Sequence, residues 1–269
     1  MYHREISKER KIYLLKRRRN KTAVILCRMF FLIAFIALWE IGGHMGFIDS
    51  FVLSQPSRIL GVLADYRENN LFMHIGTTLF ETGVGFILGV IIGCFIAVLL
   101  WWSPFLSRVS EPYLVVLNSL PKIALGPVII IWAGAGTRAI IFMALAISMI
   151  VTVLEMLNGF NNTDPELIKM LRTFGANRFQ VFTKIVLPYN IETLFNSLKI
   201  NIGLSLVGVI AGEFLVSKAG LGYLIVYGGQ VFKMDLVMAS VLILAAAAAI
   251  LYEIIVIAQK LALKCINHK

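Results

Sequence analysis

The sequence predicts an all-α fold: a polytopic membrane protein with six transmembrane helices. Apolar residues make up 59% of the chain and the mean hydropathy is +0.84. Charged residues are only 15% of the total, well below the quarter or so carried by an ordinary soluble domain. The apolar residues also fall into six runs, each close to the 20 or so residues that cross a hydrocarbon core. These run roughly Thr22 to Ile41, Gly76 to Trp101, Pro112 to Ala133, Ala139 to Asn158, Leu194 to Val216 and Leu236 to Gln259.

The first run follows a basic arm, residues 1–21, which holds nine of the 25 Lys and Arg. A basic cluster beside a span marks the cytoplasmic side. The run is too long for a signal-peptide core and no small-residue cleavage site follows it, so it reads as a retained span. With the amino terminus inside, 17 basic residues fall on inner segments and five on outer ones, namely Arg58, Arg67, Arg138, Lys218 and Lys233. Both termini are therefore expected in the cytoplasm. The division expected is a basic arm at 1–21, a permeation domain at 22–262 with a cytoplasmic loop at about 159–193, and a tail at 263–269. The net charge of +10 might suggest nucleic acid, but no interleaved aromatics or binding module accompany it, so no nucleic-acid partner is expected. Cys27, Cys94 and Cys265 lack CxxC spacing, which excludes a disulfide framework and a cysteine zinc site; they read as core residues.

Each connection and span carries its own signal. After Pro56, the residues Ile59, Leu60, Leu63 and Tyr66 recur at helical spacing, which predicts an amphipathic helix on the outer surface. Span two has Gly85, Gly89 and Gly93 every fourth residue, and span five repeats the interval with Gly208 and Gly212; such spacing lets helix backbones approach closely. Span three contains Pro121 and Pro127 and should be kinked or locally unwound, tolerable only where neighbours or a cavity satisfy the freed carbonyls. The segment Trp102 to Glu111 before it reads as a tight inner turn.

The inner loop between spans four and five is the most structured of the connections. Thr163 and Glu166 have capping-box spacing, with Asp164 and Pro165 an equally good start. Leu167, Leu171 and Phe174 then form an apolar stripe, with Lys169 and Arg172 on the other side, and Gly175 ends the helix as a left-handed residue. Asn177 opens a second helix with Phe179, Phe182, Ile185 and Val186 on its apolar side, which Leu187 and Pro188 should stop. Such a hairpin either lies on anionic lipid or docks into a groove of a soluble partner.

Charged residues within spans each need a reason, since a charge at mid-bilayer costs about 3 kcal/mol on insertion scales. Glu40 and Glu155 lie near span ends, where reaching the headgroups explains them. Glu253 is deeper and could pair with Lys199. Lys122 beside Pro121 either complements an anionic substrate or satisfies carbonyls freed by the proline, with the second role preferred. Glu81 and Glu213 complete the set of buried acids.

The run DPELIKMLRTFGANRFQVFTKIVLP, with LKINIGLSLVGVIAGEFLVSKAGLGYLI, FVLSQPSRIL, SLPKIALGPVIIIWAGAGT and the GF-x-x-G of span two, closely resembles the permeases of binding-protein-dependent ATP-binding-cassette importers. The nearest branch handles nitrate, taurine, alkanesulfonates and pyrimidine precursors. The resemblance implies that Glu166, Leu171, Arg172, Gly175, Ala176, Phe179, Leu187 and Pro188 belong to the loop that docks on a separate ATPase. Glu213 matches a glutamate of the family's AEF-like motif and reads either as a hydrogen-bonding residue of the outer gate, beside Gly220 and Gly222, or as lining the substrate pathway, for which Lys122 is the other candidate. The chain itself would bind no cofactor; ATP and Mg would be used by the partner. The expected partners are two ATPase subunits, a second permease copy in a homodimer, an extracytoplasmic solute-binding protein and the lipid of a bacterial-type inner membrane. The expected substrate is a small anion such as a sulfonate, taurine or nitrate, with a pyrimidine or vitamin precursor as the alternative.

Two departures stand out: Lys169, Met170 and Leu171 replace the small Glu-Ala-Ala residues of such loops, and Glu81 stands near a position where many relatives carry a basic residue. A phosphate-binding GxxxxGK[ST] is absent, in keeping with a partner that hydrolyses ATP. An intramembrane protease is disfavoured, because His3, His44, His74 and His268 are all read as lying outside the span cores and no GxSxG occurs. A secondary transporter would be expected to show an internal repeat, and none is found. The coupling component of energy-coupling-factor importers also docks ATPases, but the single loop ending in Leu-Pro favours the permease.

Overall fold

The structure, a computed structural model, describes residues 8–47, 49–64 and 70–267. Arg4, Tyr66, Arg67 and His268 therefore lie outside the described residues. Helices account for all the regular structure among the described residues. The chain divides into two units, 1–64 and 65–269.

The first unit holds α1 (Lys8–His44), α2 (Ser50–Leu53) and α3 (Pro56–Ala64). The described part of the basic arm continues into the first span as one helix, so the boundary at residue 21 is a change of composition and not of backbone. The helix expected after Pro56 is α3, with Pro56 in its first turn, where a missing N–H costs nothing. Glu40 does not simply reach for headgroups. Its Oε2 accepts the Ser57 backbone N–H at 3.1 Å and its Oε1 the Ser57 hydroxyl at 2.7 Å, which caps the start of α3. Cys27 and Cys265 are exposed rather than core, because both sit on helix faces without a protein neighbour, while Cys94 is half-buried.

The second unit is organised on three long helices: α4 (Leu71–Trp102), α7 (Thr137–Asn161) and α11 (Ile191–Val216). Between α4 and α11 in the chain come α5 (Pro104–Ser119), α6 (Gly126–Ala133) and the loop helices α8 (Pro165–Thr173), α9 (Arg178–Val181) and α10 (Leu187–Tyr189); α12 (Leu221–Gln230) and α13 (Met234–Asn267) follow. Gly85, Gly89 and Gly93 lie against Ala144, Ser148 and Thr152, so α4 runs parallel to α7. Gly208 and Gly212 lie against Ala144 and Ile140 in the opposite order, so α11 runs antiparallel. The spacing of the glycines matches the spacing of small residues on α7, so the α4 glycines meet the short side chains of Ala144, Ser148 and Thr152 while Gly208 meets the Ala144 backbone itself.

The third span is broken more sharply than a kink. A 3₁₀ turn, Lys122–Leu125, connects α5 to α6, and the two halves meet at 85°. Leu120 precedes Pro121 and takes extended angles (φ −65°, ψ 140°), as the proline ring requires of its neighbour. The inner turn expected over Trp102 to Glu111 is instead almost wholly helical. Ser103 alone separates α4 from α5, its hydroxyl accepting the Leu106 N–H at 3.3 Å with Pro104 at the first position, so the break needs only one residue. Among the described residues five helices are long and apolar enough to cross a membrane, and six spans result when the bent pair counts as one.

Gly208 tests the packing. A Cβ there would sit 2.7 Å from the Ala144 Cα, a backbone atom that cannot step aside. Gly208→Ala should therefore lower the melting temperature of the purified protein and its yield. Gly203→Ala on the same helix meets nothing within 4 Å and should hold or raise stability by up to about 1 kcal/mol.

Candidate functional site

The residues singled out by sequence gather at the two ends of this three-helix core. At one end, Ser217 to Gly220 turn the chain from α11 into α12. Gly220 has φ 110° and ψ 165°, angles that only glycine adopts readily, and a Cβ there would collide with the Glu213 carboxylate. The first N–H groups of α12 have no partners within their own helix, and side chains from α4 and α11 supply them. Gly220 N–H donates to His74 Nδ1 (3.0 Å), Leu221 N–H to Thr78 Oγ1 (2.8 Å) and Gly222 N–H to Glu213 Oε2 (2.5 Å). The Thr78 hydroxyl donates to Glu213 Oε1 at 2.7 Å. Glu213 thus works as a helix cap inside the protein, favoured by the partial positive charge of the α12 amino terminus. Glu213, Gly220 and Gly222 form one site, and Glu81 lies beside Glu213.

Lys122 is not part of it. Its Nζ donates to the Asn118 carbonyl at 3.0 Å and to Asn118 Oδ1 at 3.3 Å, across the break that deprives that carbonyl of its helical partner. The adjacent Ile123, Ala124 and Pro127 line an apolar groove of about 480 Å³ with Val207, Phe214 and Leu215. Lys199 reaches Asn196 Oδ1 at 3.3 Å, and Glu253 is exposed; the two form no ion pair with each other. Glu155 lines a polar recess with Asn158, Tyr189 and Asn196.

The other end carries the loop. Asp164, not Thr163, caps α8, its Oδ1 accepting the Glu166 N–H at 2.8 Å; the Thr163 hydroxyl is already engaged with the Gly159 carbonyl and Asn190. At the other terminus Gly175 has φ 80°, its N–H bonds the Arg172 carbonyl at 2.9 Å, and Ala176 N–H bonds the Leu171 carbonyl at 3.3 Å. This is a complete Schellman closure. Asn177 and Gln180 then cap α9 reciprocally, both bonds at 2.9 Å. Pro188 does not stop the helix. The π-helical turn Phe182–Val186 widens the segment ahead of it, and the helix passes through to Tyr189.

The expected stripes divide between two faces. Leu171, Ala176, Val181, Phe182 and Val186 pack on Ala97, Met156, Leu157 and Phe160 from α4 and α7. Arg178 lies over the Trp101 ring at 5.4 Å and donates to the Trp101 carbonyl at 3.1 Å, while Phe182 packs on Trp101 at 5.1 Å between centroids. Asn190 Nδ2 donates to Thr163 Oγ1 and to the Val186 carbonyl, both at 2.8 Å, which ties the two ends of the loop together. Phe174 (82% exposed) and Phe179 (61%) are left outward, with Glu166, Arg172, Leu187 and Pro188 also exposed.

Sequence reasoning missed His74, Thr78, Arg178 and Asn190. His74, read as outside the span cores, is buried within α4, because that helix begins five residues before the expected span. The signal was present: His74, Thr78, Glu81, Thr82 and Gly85 share one helical face. Thr78→Val would leave the Leu221 N–H without an acceptor and Glu213 Oε1 without the Thr78 donor, costing about 1–3 kcal/mol. Thermal unfolding should show this loss, and Thr78→Ser should restore most of it.

The family description "Binding-protein-dependent transport system inner membrane component" matches residues 87–264. A Haemophilus influenzae chain described as a probable ABC transporter permease protein is 27% identical over 81% of this chain and 88% of its own length. The formylaminopyrimidine transport permease protein ThiX of Halalkalibacterium halodurans is 26% identical over 72% of this chain and 77% of its own. The taurine transport system permease protein TauC of Escherichia coli is 23% identical over 80% and 81%. Among solved structures, an inward-facing MetNI methionine ABC transporter chain superimposes with a TM-score of 0.64 at 20% identity, covering 74% of this chain and 98% of that one. Fold, loop and match to most of the membrane region agree, and the chain belongs to the binding-protein-dependent transport system inner membrane component family, as the permease of an ATP-binding-cassette importer.

Proposed function

We propose that this permease pairs with a second copy of itself, that Phe174 and Phe179 dock it on a separate ATPase, and that a solute-binding protein delivers substrate at the α12 end. The observation that carries the reading is the division of the loop. One side is locked to α4 and α7 by Phe182, Arg178 and Asn190, while two phenylalanines and Arg172 stay outward. Exposed aromatic anchors on a rigid support suit a hydrophobic cleft in a soluble partner, with Arg172 giving orientation. ATP and Mg belong to that partner. The second copy would cover the groove between the 3₁₀ turn and α11, and the substrate path would run along it. A small anion such as taurine or another sulfonate is the favoured cargo, with Lys122 beside the groove residue Ile123 in the chain; the groove's apolar lining keeps a pyrimidine or vitamin precursor as the second reading.

Reconstitution with the ATPase and binding protein tests the docking. Phe174→Ala with Phe179→Ala should insert normally but lose at least about tenfold of substrate-stimulated ATP hydrolysis, since each desolvated anchor contributes about 1–2 kcal/mol. Unchanged stimulation would remove this account of the loop.

Orientation has a separate test. In a chain whose Cys27, Cys94 and Cys265 are changed to alanine, a cysteine at Lys218 should label with an impermeant thiol reagent from outside intact cells. One at Asn177 should label only after lysis. Labelling of Asn177 from outside would reverse the topology.

A further inference from the structure

Glu81 and Glu213 bring two carboxyl groups side by side inside the protein, each residue only 1% exposed. The two Glu213 oxygens are engaged by Thr78 and Gly222. Glu81 lies against Glu213 and the Thr137 side chain, yet neither of its oxygens is met by a donor in good hydrogen-bonding geometry, and the neighbouring Thr82 hydroxyl is likewise buried without a partner. Among the described residues no Lys or Arg forms an ion pair with either carboxyl. The titratable groups on the surrounding elements are His74 on α4, Arg138 on α7, Lys218 in the turn, Tyr223 on α12 and Asp235 in the first turn of α13. His74 is held by the Gly220 N–H and stacks on Tyr223, and both Arg138 and Lys218 are exposed.

Two carboxylates side by side, out of water and without a counter-charge, cannot both stay ionised. We infer that Glu81 and Glu213 form a proton-binding site: Glu81 is held as a carboxylic acid and donates its O–H to the Glu213 carboxylate. The division of roles follows from the donors. Glu213 already accepts an N–H and an O–H at close range, which favour its ionised form, whereas no donor meets Glu81 in good geometry, and protonation gives it a partner in Glu213. The bound proton completes the hydrogen bonding of the pair, and its release sets two like charges against the turn at Gly220 that begins α12. The stability it contributes is present while the pair is protonated and is lost as the pH rises through the point of release.

The test uses the full chain in lipid nanodiscs and needs no transport assay. The infrared difference spectrum between mildly acidic and alkaline pH should contain the C=O stretch of a buried carboxylic acid, and Glu81→Gln should abolish it. The wild-type melting temperature should fall by about 3 °C or more as the pH is raised across that range. Glu81→Gln, whose amide N–H still reaches Glu213, should melt at least as high and lose that slope; Glu213→Gln should also flatten it, because the second charge is gone. Absence of the acid band from the wild-type chain would overturn the site without reference to any variant. The same band in Glu81→Gln, or an unaltered pH slope in both variants, would overturn it too. Stabilisation of the wild-type chain by sodium over choline at fixed pH, absent in Glu81→Gln, would replace the proton with a metal cation and equally end the proposal.

Discussion

The rest of the structure depends on the close approach of α4 and α11 to α7. Ala144 sits between them, facing Gly85 on one side and the Gly208 backbone on the other. Lipid tails are as apolar as leucine, so burying side chains in a membrane supplies little drive; contact energy comes from fit and from hydrogen bonds. Bare glycine backbone against small residues gives a close fit, and it fixes register because on α11 a slip of one residue would bring a Cβ into the Ala144 main chain. That register decides which residues of α4 meet the start of α12 and which meet the loop.

The two ends use the common register through different chemistry. At the α12 end, Thr78, His74 and Glu213 satisfy N–H groups that would otherwise be orphaned in a medium without water. At the loop end, Trp101, Phe160 and Phe182 form an aromatic cluster, with Arg178 spread over the indole. Polar capping is directional and tolerates little displacement. Aromatic packing tolerates small shifts while holding the loop to α4. Thr78 and Trp101 belong to one continuous helix, about 35 Å apart at its rise per residue.

Much of this was legible in the sequence where the rule is local. The glycine ladders, the amphipathic helix after Pro56, the left-handed Gly175 and the cap at Asn177 all depend on residues within a turn or two of one another. What was illegible depends on the tertiary fold. Glu40 caps a helix by accepting from Ser57, 17 positions away in the chain, and Thr78 bonds residues more than 130 positions away. The loop stripe showed which residues are apolar but not which would find a neighbour; only the position of Trp101 and Phe160 decides that Phe182 is buried while Phe179 is not. Pro188 misled for a similar reason, since a π turn ahead of a proline leaves no mark in hydrophobic periodicity.

The same geometry says where movement between the two ends has to occur. A seam in which glycine backbones touch alanine, serine and threonine resists bending, because any rotation of α4 or α11 lifts several contacts at once. The loop is closed on itself by Asn190 and fastened to Trp101, so under the proposed docking a partner pressing on Phe174 and Phe179 would push on α4, α7 and α11 together. The bent pair is joined differently. At Leu120 and Pro121 its backbone hydrogen bonds are already interrupted, and Lys122 spans the gap with a flexible side chain. Rotation there costs few contacts, and it changes the face that Ile123, Ala124 and Pro127 present to the groove beside α11. Under the proposed docking, a rigid three-helix body carrying both the loop and the α12 cap, set against one proline-broken span, would turn force at one end into a change of shape at the groove.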